Sequence, residues 1–314
     1  MFYTLLLGES PLTANAVVVR LIENVGKDIS AIKLLIEKPL PLGLIENGKI
    51  IDEIGFYYYL SELFKELGIK KRYVRFYVPN SLIIMREIEF PSNLKDKEIK
   101  EYIQEEIGKS IHLPFKEPVF DVHYERPDGE TFDNRDEMQK GMLFAAPQDE
   151  MLKYTEILDD VSLKPIVADV EPIGIYRYFH HIYEVDVNKV YMFVQLNVNS
   201  INLSIFHNNQ LDFIRYQNLD VELKGWHINQ EIEEITWEYE ESETDLIGIL
   251  EDQIVELERI MNFYRFSIKK GELAVNEMVV LGDHPLLEVF YKKLSSHFDI
   301  PTTLLNGYVT KEKD

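Results

Sequence analysis

The apolar residues of this chain recur in short blocks that alternate between helical and strand spacing. The clearest helical block is followed by Gly68 and has six residues at positions i, i+3, i+4, i+7, i+8 and i+11: Phe56, Tyr59, Leu60, Leu63, Phe64 and Leu67. This spacing places them on one face of an amphipathic helix, which the glycine ends. Short apolar runs between turn residues elsewhere predict strands. The mixture is typical of an α/β protein.

Residues 81–125 predict a strand, a helix and a second strand in succession. The first apolar run covers residues 82–90, and Asn93 is expected to cap the helix that follows it. Residues 118–124 have the pattern of a returning strand. Polar, turn-forming residues from 126 to 140 then predict a loop.

Turn residues set the expected ends of the first strands. Residues 8–11 (Gly-Glu-Ser-Pro) predict a turn that joins strands at 3–7 and 15–22 into a hairpin. A third apolar run continues the sheet and is expected to stop at Pro39 and Pro41. The chain therefore opens with three predicted strands.

The opening pattern recurs after residue 188. Three short apolar runs at 190–196, 201–206 and 211–216 echo the first three strands, and a long helix is predicted from 246 to 266. The order is strands and a helix, a strand–helix module, and then strands and a helix again. This order predicts a duplicated α/β fold with an insertion.

The composition excludes several classes of function. The formal net charge of -22 argues against a protein that binds nucleic acid or docks electrostatically on anionic lipid. The absence of cysteine excludes disulfides, thiol catalysis and cysteine-ligated metals. No run is long enough to span a membrane, and no basic region precedes a secretory apolar segment. We expect a cytoplasmic protein.

The sequence lacks the common catalytic and metal-binding motifs. It has no P-loop, no dinucleotide-binding glycine pattern and no GxSxG segment. Adjacent helical positions point about 100° apart, so the pair His180-His181 is a poor bidentate metal site. The acidic stretch 231–243 lacks the order of a calcium loop and favours a solvated or partner-facing segment. We predict no catalytic residue and no metal ligand.

Several segments resemble, in the same order, those of the PilM family of type IV pilus assembly proteins, and more distantly the cell-division protein FtsA. The similar stretches are 40–50 (LPLGLIENGKI), 85–91 (MREIEFP), 102–115 with Asp121 after it, and 143–172. Each motif is short, and the ordered series carries the resemblance.

The resemblance implies an actin-like (ribonuclease H-like) fold with duplicated lobes and an inserted subdomain of the 1C type. Residues 1–72 with 165–187 would form subdomain 1A, and 73–164 the inserted 1C. Residues 188–314 would form the second lobe, with subdomain 2A and a small 2B around 229–272. Members of the family bind ATP between the lobes.

The resemblance also implies the partners and the location. The family holds the N-terminal cytoplasmic tail of the membrane protein PilN in a groove between 1A and 1C. The protein would therefore lie at the inner face of the cell membrane, held there by its partner without inserting itself. A pilus ATPase is a further expected partner.

The nucleotide-binding motifs of this fold are altered in the sequence. Eight residues stand at the corresponding positions: Gly8, Glu9, Ser10, Asn197, Asn199, Ser200, Gly282 and Asp283. The first two loops lack the aspartate of the D-x-G hairpins, and the third supplies one glycine where two are usual. The helix that normally contacts the nucleoside would fall in 230–243, which is acidic and has no basic residue. These residues predict a vestigial site.

Four functional hypotheses follow. The first is a scaffold without a cofactor that acts by binding a PilN-like tail. The second is a working actin-like ATPase that uses ATP and Mg²⁺. The third is a cytoplasmic domain of the type II secretion kind, similar to GspL. The fourth is a general protein-interaction domain with no role in pilus assembly.

Overall fold

The computed structural model describes residues 2–12, 16–24, 32–41, 43–125, 137–219, 226–230, 235–239 and 243–305. The elements up to the first long helix and the strand after it are β1 (Phe2–Leu12), β2 (Ala16–Asn24), β3 (Ile32–Pro41), β4 (Ile45–Glu46), β5 (Lys49–Ile50), α1 (Glu53–Glu66) and β6 (Arg72–Val78). The middle of the chain contains β7 (Ile84–Pro91), α2 (Asp96–Glu106), β8 (Pro118–His123), β9 (Met138–Pro147), α3 (Gln148–Asp160), β10 (Leu163–Val170) and α4 (Glu171–Ile182).

The remaining elements follow after residue 190. They are β11 (Tyr191–Leu196), β12 (Ser200–His207), β13 (Gln210–Asn218), β14 (Trp226–Gln230), β15 (Ile235–Tyr239), α5 (Glu243–Phe263), β16 (Glu277–Leu281), α6 (Leu287–His297) and β17 (Thr302–Leu304). None of the described helices has both the length and the apolar character that crossing a membrane requires.

Two five-stranded sheets repeat the same strand order. The first-lobe sheet runs β10-β6-β1-β2-β3, and the second-lobe sheet runs β17-β16-β11-β12-β13. In each sheet the first three strands of the lobe are antiparallel, and the later strands join parallel to the first. The predicted recurrence of three strands after residue 188 therefore corresponds to a repeated sheet.

The predicted turn at residues 8–11 is wrong, because β1 continues through these residues to Leu12. Gly8 still pairs with Val18, and pairing resumes at Leu12 and Ala16 after an irregularity. A bulge of this kind accommodates proline, which has no N–H to donate. The residues between Leu12 and Ala16 lie outside the described part.

The predicted stop is confirmed at Pro41, the last residue of β3, and is wrong at Pro39, through which the strand continues. These residues lie in β3, paired with Val18 and Ala16. Because β3 is the edge strand of its sheet, it needs hydrogen bonds on one side only, and proline is tolerated there.

The inserted unit is a three-stranded antiparallel sheet, ordered β7-β9-β8, with α2 against it. Its boundaries differ from the expected 73–164. Strand β6 lies inside the first-lobe sheet, and α3 packs in the first-lobe core through Tyr154 and Leu158. The insertion is therefore confined to the residues between β6 and α3. Residues 138–140 belong to β9 instead of the predicted loop, whose remainder lies mostly outside the described residues.

The cap predicted for α2 is displaced by two residues. The structure places the N-cap at Lys95, whose N–H donates to the carboxylate of Glu98 at 2.8 Å. Asn93 instead lies in a turn in which the N–H of Leu94 donates to the carbonyl of Pro91. The predicted strand, helix and returning strand are otherwise present.

No helix occupies the described part of the acidic stretch 230–243 before Glu243. Residues 226–230 and 235–239 pair as an antiparallel hairpin, β14–β15. Helix α5 then belongs to the second-lobe core, where Leu250, Leu257 and Tyr264 are buried. The expected 2B region of 229–272 therefore extends too far, since much of it forms part of the main lobe.

Helix α4 joins the two lobes through an aromatic core. The ring of Tyr176 stacks on Phe206 of β12 with centroids 4.1 Å apart, and the Tyr176 hydroxyl donates to Asn209 Oδ1 at 2.9 Å. Phe179 and Phe193 pack beside them. This core fixes the second-lobe sheet against the helix that leaves the first lobe.

Candidate functional site

The second-lobe hairpin between β11 and β12 contains three of the predicted site residues. Asn197, Asn199 and Ser200 are all buried. The N–H of Asn197 donates to the carbonyl of Ser200 at 2.8 Å, and the carbonyl of Asn199 accepts from the N–H of Leu219 at 2.7 Å. These bonds close the hairpin on itself.

Gly282 follows β16 and contacts the end of β11. A Cβ at this position would overlap the carbonyl oxygen of Leu196 and lie 2.6 Å from the carbonyl carbon. The backbone φ of +137° is also one that side chains rarely adopt. The glycine therefore allows two neighbouring strand ends to approach each other.

His284 is buried next to the same strand end. Its Nδ1 accepts from the N–H of Leu286 at 3.0 Å, which places the proton of the neutral ring on Nε2. Burial lowers the pKa of His284 to about 4, and the nearby Asp283 opposes the shift. The ring is therefore neutral at physiological pH.

Three amide side chains near this hairpin have unmet hydrogen-bonding capacity. Gln195 Oε1, Asn199 Oδ1 and both amide atoms of Asn202 are buried and have no hydrogen-bond partner among the described residues. Gln195 and Asn202 lie directly opposite each other on β11 and β12. Buried amides of this kind suit water or another neutral polar group.

Glu171 at the start of α4 links three parts of the chain. Its carboxylate accepts from Asn80 Nδ2 at 2.6 Å and from Gln195 Nε2 at 3.2 Å. Asn80 lies in a 3-10 turn that begins the inserted unit, and Gln195 lies in the second lobe. Sequence analysis did not single out Glu171, although it lies in the 143–172 stretch that resembles the family.

The structure brings only some of the predicted site residues together. Gly282 and Asp283 adjoin the Asn197–Ser200 hairpin through Leu196. Gly8, Glu9 and Ser10 lie in β1, which contacts β12 across the lobes, but their side chains are outside the described part. Within the described residues, no group of three or more histidine or acidic side chains is arranged to hold a metal ion.

A second candidate surface lies where the first lobe meets the inserted unit. Ile51, Ile54 and Tyr58 of the α1 region are 57%, 70% and 62% exposed. Lys153 in the second turn of α3 approaches Glu53, the first residue of α1, at 3.8 Å, so the two helices are adjacent at this point.

The same surface continues towards β8. The N–H of Gln148, the first residue of α3, donates to the carbonyl of Glu117, which directly precedes β8. Leu152 and Val119 are 46% and 41% exposed in these elements. Exposed apolar side chains are therefore present on all three elements, α1, α3 and β8, that border this seam.

Comparison with solved structures supports the architecture. The chain aligns with a chain of the PilM-PilN type IV pilus biogenesis complex at a TM-score of 0.75 and 22% identity, covering 97% of this chain and 88% of that chain. This likeness and the repeated strand order confirm the α/β fold with duplicated, actin-like (ribonuclease H-like) lobes and an inserted subdomain.

Two other structures are more distant. The cytoplasmic domain of EpsL from the Vibrio cholerae type II secretion system aligns at a TM-score of 0.49 and 9% identity, covering 90% of this chain and 83% of that chain. A Bacteroides thetaiotaomicron protein with an actin-like ATPase fold and unknown function aligns at 0.46 and 12%, covering 97% and 90%. Neither adds to the assignment.

The sequence comparison gives the family. No curated protein matches the chain significantly. A sequence model described as "Type IV pilus assembly protein PilM" matches residues 12–312, almost the entire chain. The chain therefore belongs to the PilM family of type IV pilus assembly proteins.

Proposed function

We propose that this protein is a cytoplasmic scaffold of a type IV pilus or related competence machinery that binds the N-terminal tail of a PilN-like membrane protein. The observation that carries the proposal is membership of the PilM family over residues 12–312. The likeness to a structure of a PilM-PilN complex supports the same partner. The protein would lie at the inner face of the membrane because its partner is anchored there.

The binding surface of the proposed tail is the seam between the first lobe and the inserted unit. The elements that border this seam carry four exposed apolar side chains: Ile54, Tyr58, Leu152 and Val119. Exposed apolar groups of this density on adjoining elements are typical of interaction sites. An extended segment with apolar side chains matches such a surface better than a charged one does.

The proposal includes a nucleotide site that no longer functions. ATP and Mg²⁺ require backbone donors for phosphate and an acidic group for the metal. In the second lobe the space beside Gly282 is filled by Leu196, and the N–H of Asn197 already donates to Ser200. None of the eight candidate residues is basic. These residues fit a structural hairpin better than a phosphate cradle.

Peptide binding tests the partner. The N-terminal cytoplasmic peptide of the PilN-like protein from the same genome, labelled with a fluorophore, should bind the full chain in an anisotropy titration. Ile54→Asp and Leu152→Asp each place a charge in the apolar seam, and we expect them to weaken binding by roughly tenfold or more.

Val255→Asp is the matched control, because Val255 is 48% exposed but lies on α5, away from the seam. It should leave peptide affinity unchanged. Equal losses in all three variants, or no binding by the unaltered chain, would contradict the proposal.

A separate titration tests the nucleotide site. The protein should show no saturable binding of ATP·Mg²⁺ at micromolar concentrations and no hydrolysis above background. Binding, together with hydrolysis that disappears in Asn197→Ala, would favour a working ATPase instead.

A further inference from the structure

The end of α5 and the turn after it form a basic segment in a strongly acidic chain. Residues 259–271 contain Arg259, Arg265, Lys269 and Lys270 and no acidic residue, although the whole chain has a formal charge of -22. Lys269 pairs with Asp212 at 2.7 Å. Within the described residues, Arg265 and Lys270 form no ion pair, and both are exposed.

Aromatic side chains accompany these charges. Phe263 and Phe266 are 50% and 59% exposed, and the guanidinium of Arg265 lies 5.0 Å from the centre of the Phe266 ring. Val255 is also 48% exposed, two helical turns before Phe263 on the same face of α5. We call Phe263, Arg265, Phe266 and Lys270 the basic aromatic surface.

The position at a helix end explains the basic residues of this surface but not its two exposed phenylalanines. Basic residues stabilise the C-terminal end of a helix, so they need no partner to explain them. Two half-exposed phenylalanines gain nothing from the helix dipole and cost solvation free energy in water. Phe and Arg are both enriched at protein interfaces, where aromatic rings and guanidinium groups contribute most of the binding energy.

The basic aromatic surface is anchored to the second-lobe core by buried and hydrogen-bonded residues. Helix α5 ends in a π-helical turn, Tyr264–Ile268, which is a form often found at functional sites. Tyr264 is fully buried, and its hydroxyl donates to Asp212 at 2.8 Å. Phe213, next to Asp212, contacts the ring of Phe263.

The location separates this surface from the sites described above. Asp212 and Phe213 stand at the start of β13, beside the end of β12 at His207. This is the opposite end of the second-lobe sheet from the hairpin at Asn197–Ser200. A partner bound here would therefore lie away from the Asn197–Ser200 hairpin.

The charges of the surface and of the whole chain indicate which kind of binding partner fits here. An anionic membrane would meet two unpaired cations here, but it would repel the rest of a molecule with a formal charge of -22. A short protein segment avoids that repulsion because it covers only the local surface. Carboxylates of such a segment would pair with Arg265 and Lys270, and its apolar side chains would cover the two phenylalanines.

We propose that the basic aromatic surface is a docking site for an acidic amphipathic segment of a second protein, distinct from the partner held at the first lobe. The segment would carry carboxylates flanking apolar side chains at helical spacing. Its carboxylates provide orientation and a fast approach, and burial of Phe263 and Phe266 provides affinity.

Photo-cross-linking in cells that produce the full-length protein tests this. p-Benzoylphenylalanine replaces Phe266, and in a second variant it replaces Tyr58 on the first lobe. The linked peptides are mapped by mass spectrometry. At position 266 we expect a link to a segment of another protein with net negative charge and apolar residues at helical spacing, and at position 58 a different protein.

The mapped segment is then synthesised, and its affinity is measured for two double variants. Arg265→Glu with Lys270→Glu should weaken binding by roughly tenfold or more, since both ion pairs become repulsive. Lys116→Glu with Lys164→Glu changes the net charge equally at exposed positions elsewhere and should bind as the unaltered chain does. Fluorescence melting confirms that the variants fold.

Several outcomes would overturn the proposal. They are no link at 266, a link to a neutral or basic segment, a link to a second copy of this chain, and equal affinities of the two double variants. Sedimentation with vesicles of phosphatidylglycerol and phosphatidylethanolamine that is lost in the Arg265→Glu, Lys270→Glu variant would assign the surface to a membrane instead. Failure of the PilN-like peptide to bind the seam would affect only the link expected at position 58 and would leave the results at position 266 unchanged.

Discussion

Gly282 lies so close to Leu196 that any side chain at position 282 would overlap the Leu196 backbone. Leu196 is the last residue of β11, and Gly282 directly follows the neighbouring parallel strand β16. A glycine that sequence reasoning assigned to phosphate binding is therefore needed for the close approach of two strands.

Gly282→Ala should destabilise the protein strongly. The added Cβ must displace backbone, and the φ of +137° disfavours any residue with a side chain, so we expect a loss of at least ~2 kcal/mol in the free energy of unfolding. Denaturation in urea, followed by tryptophan fluorescence, measures the change.

Gly248→Ala is the matched control for this substitution. Gly248 lies in α5 with no atom within 4 Å of an added Cβ, so alanine should be neutral or stabilise by up to ~1 kcal/mol. Similar midpoints for Gly282→Ala and the unaltered protein would show that the strand ends can move apart freely.

The bond between Glu171 and Asn80 should couple the inserted unit to α4. It is short at 2.6 Å, charge-assisted and partly buried. A double-mutant cycle with Glu171→Ala and Asn80→Ala should give a coupling free energy of ~1–2 kcal/mol.

The exposed pair Lys140–Glu87 provides the comparison for this cycle. Its two charges are 2.7 Å apart, but both side chains are more than half exposed. The same cycle there should give ~0.5 kcal/mol or less. Equal coupling in the two pairs would argue against a structural link at Glu171.

Buried His284 should make stability depend on pH. Because burial lowers its folded pKa to about 4 from an ordinary 6.5, the unfolded state binds the proton more readily between these values. The free energy of unfolding is therefore unaffected by this histidine above pH 6.5. It falls as the pH is lowered from 6.5 towards 4, by about 3 kcal/mol in total. His284→Gln should flatten the stability profile in this window.

His112→Gln removes an exposed histidine and serves as the control. Its profile between pH 4 and 6.5 should match that of the unaltered protein when urea unfolding is measured at each pH. A His284→Gln profile that also matches would refute the assignment.

The stack of Tyr176 on Phe206 should contribute most of the interlobe contact. Phe206→Ala removes a buried ring and should cost ~3–4 kcal/mol. Tyr176→Phe keeps the stack and loses only the bond to Asn209, for ~1 kcal/mol. Thermal unfolding measures both losses. A larger loss of stability in Tyr176→Phe than in Phe206→Ala would show that the hydroxyl and not the ring holds the lobes together.

Local pattern predicted the elements that depend on local burial. Helix α1 follows from the spacing of Phe56, Leu60 and Leu63, which are buried on one face. The repeated strands follow from apolar runs between turn residues. Both depend on interactions within a few positions along the chain, and a single sequence contains that information.

Prediction from local sequence pattern failed where strand pairing outweighed turn chemistry, and where composition was weighed above the spacing of apolar residues. The turn chemistry of residues 8–11 is weaker than continued pairing of β1 with β2. In the acidic stretch, Ile235, Trp237 and Tyr239 alternate with polar residues, which is the period of the strand β15 that the structure shows. An acidic composition is compatible with a loop or a strand, whereas the alternation favours the strand.

The site residues depend on contacts that no local pattern encodes. Glu171 bonds to Asn80, 91 positions away, and Tyr176 bonds to Asn209, 33 positions away. Gly282 is recognisable as a glycine in the sequence, but its neighbour Leu196 becomes visible only in the folded sheet.

The prolines of β3 also affect whether another strand can pair with the outer edge of the first-lobe sheet. Pro39 and Pro41 are two positions apart on the edge strand β3, so their nitrogens face the same side of the strand. Proline is tolerated on the outer side, because no hydrogen bond to β2 is lost there. The outer rim of the first sheet thus lacks two successive donors, and a foreign strand could not continue the ladder there. Copies of the chain would therefore be protected from pairing side by side through this rim.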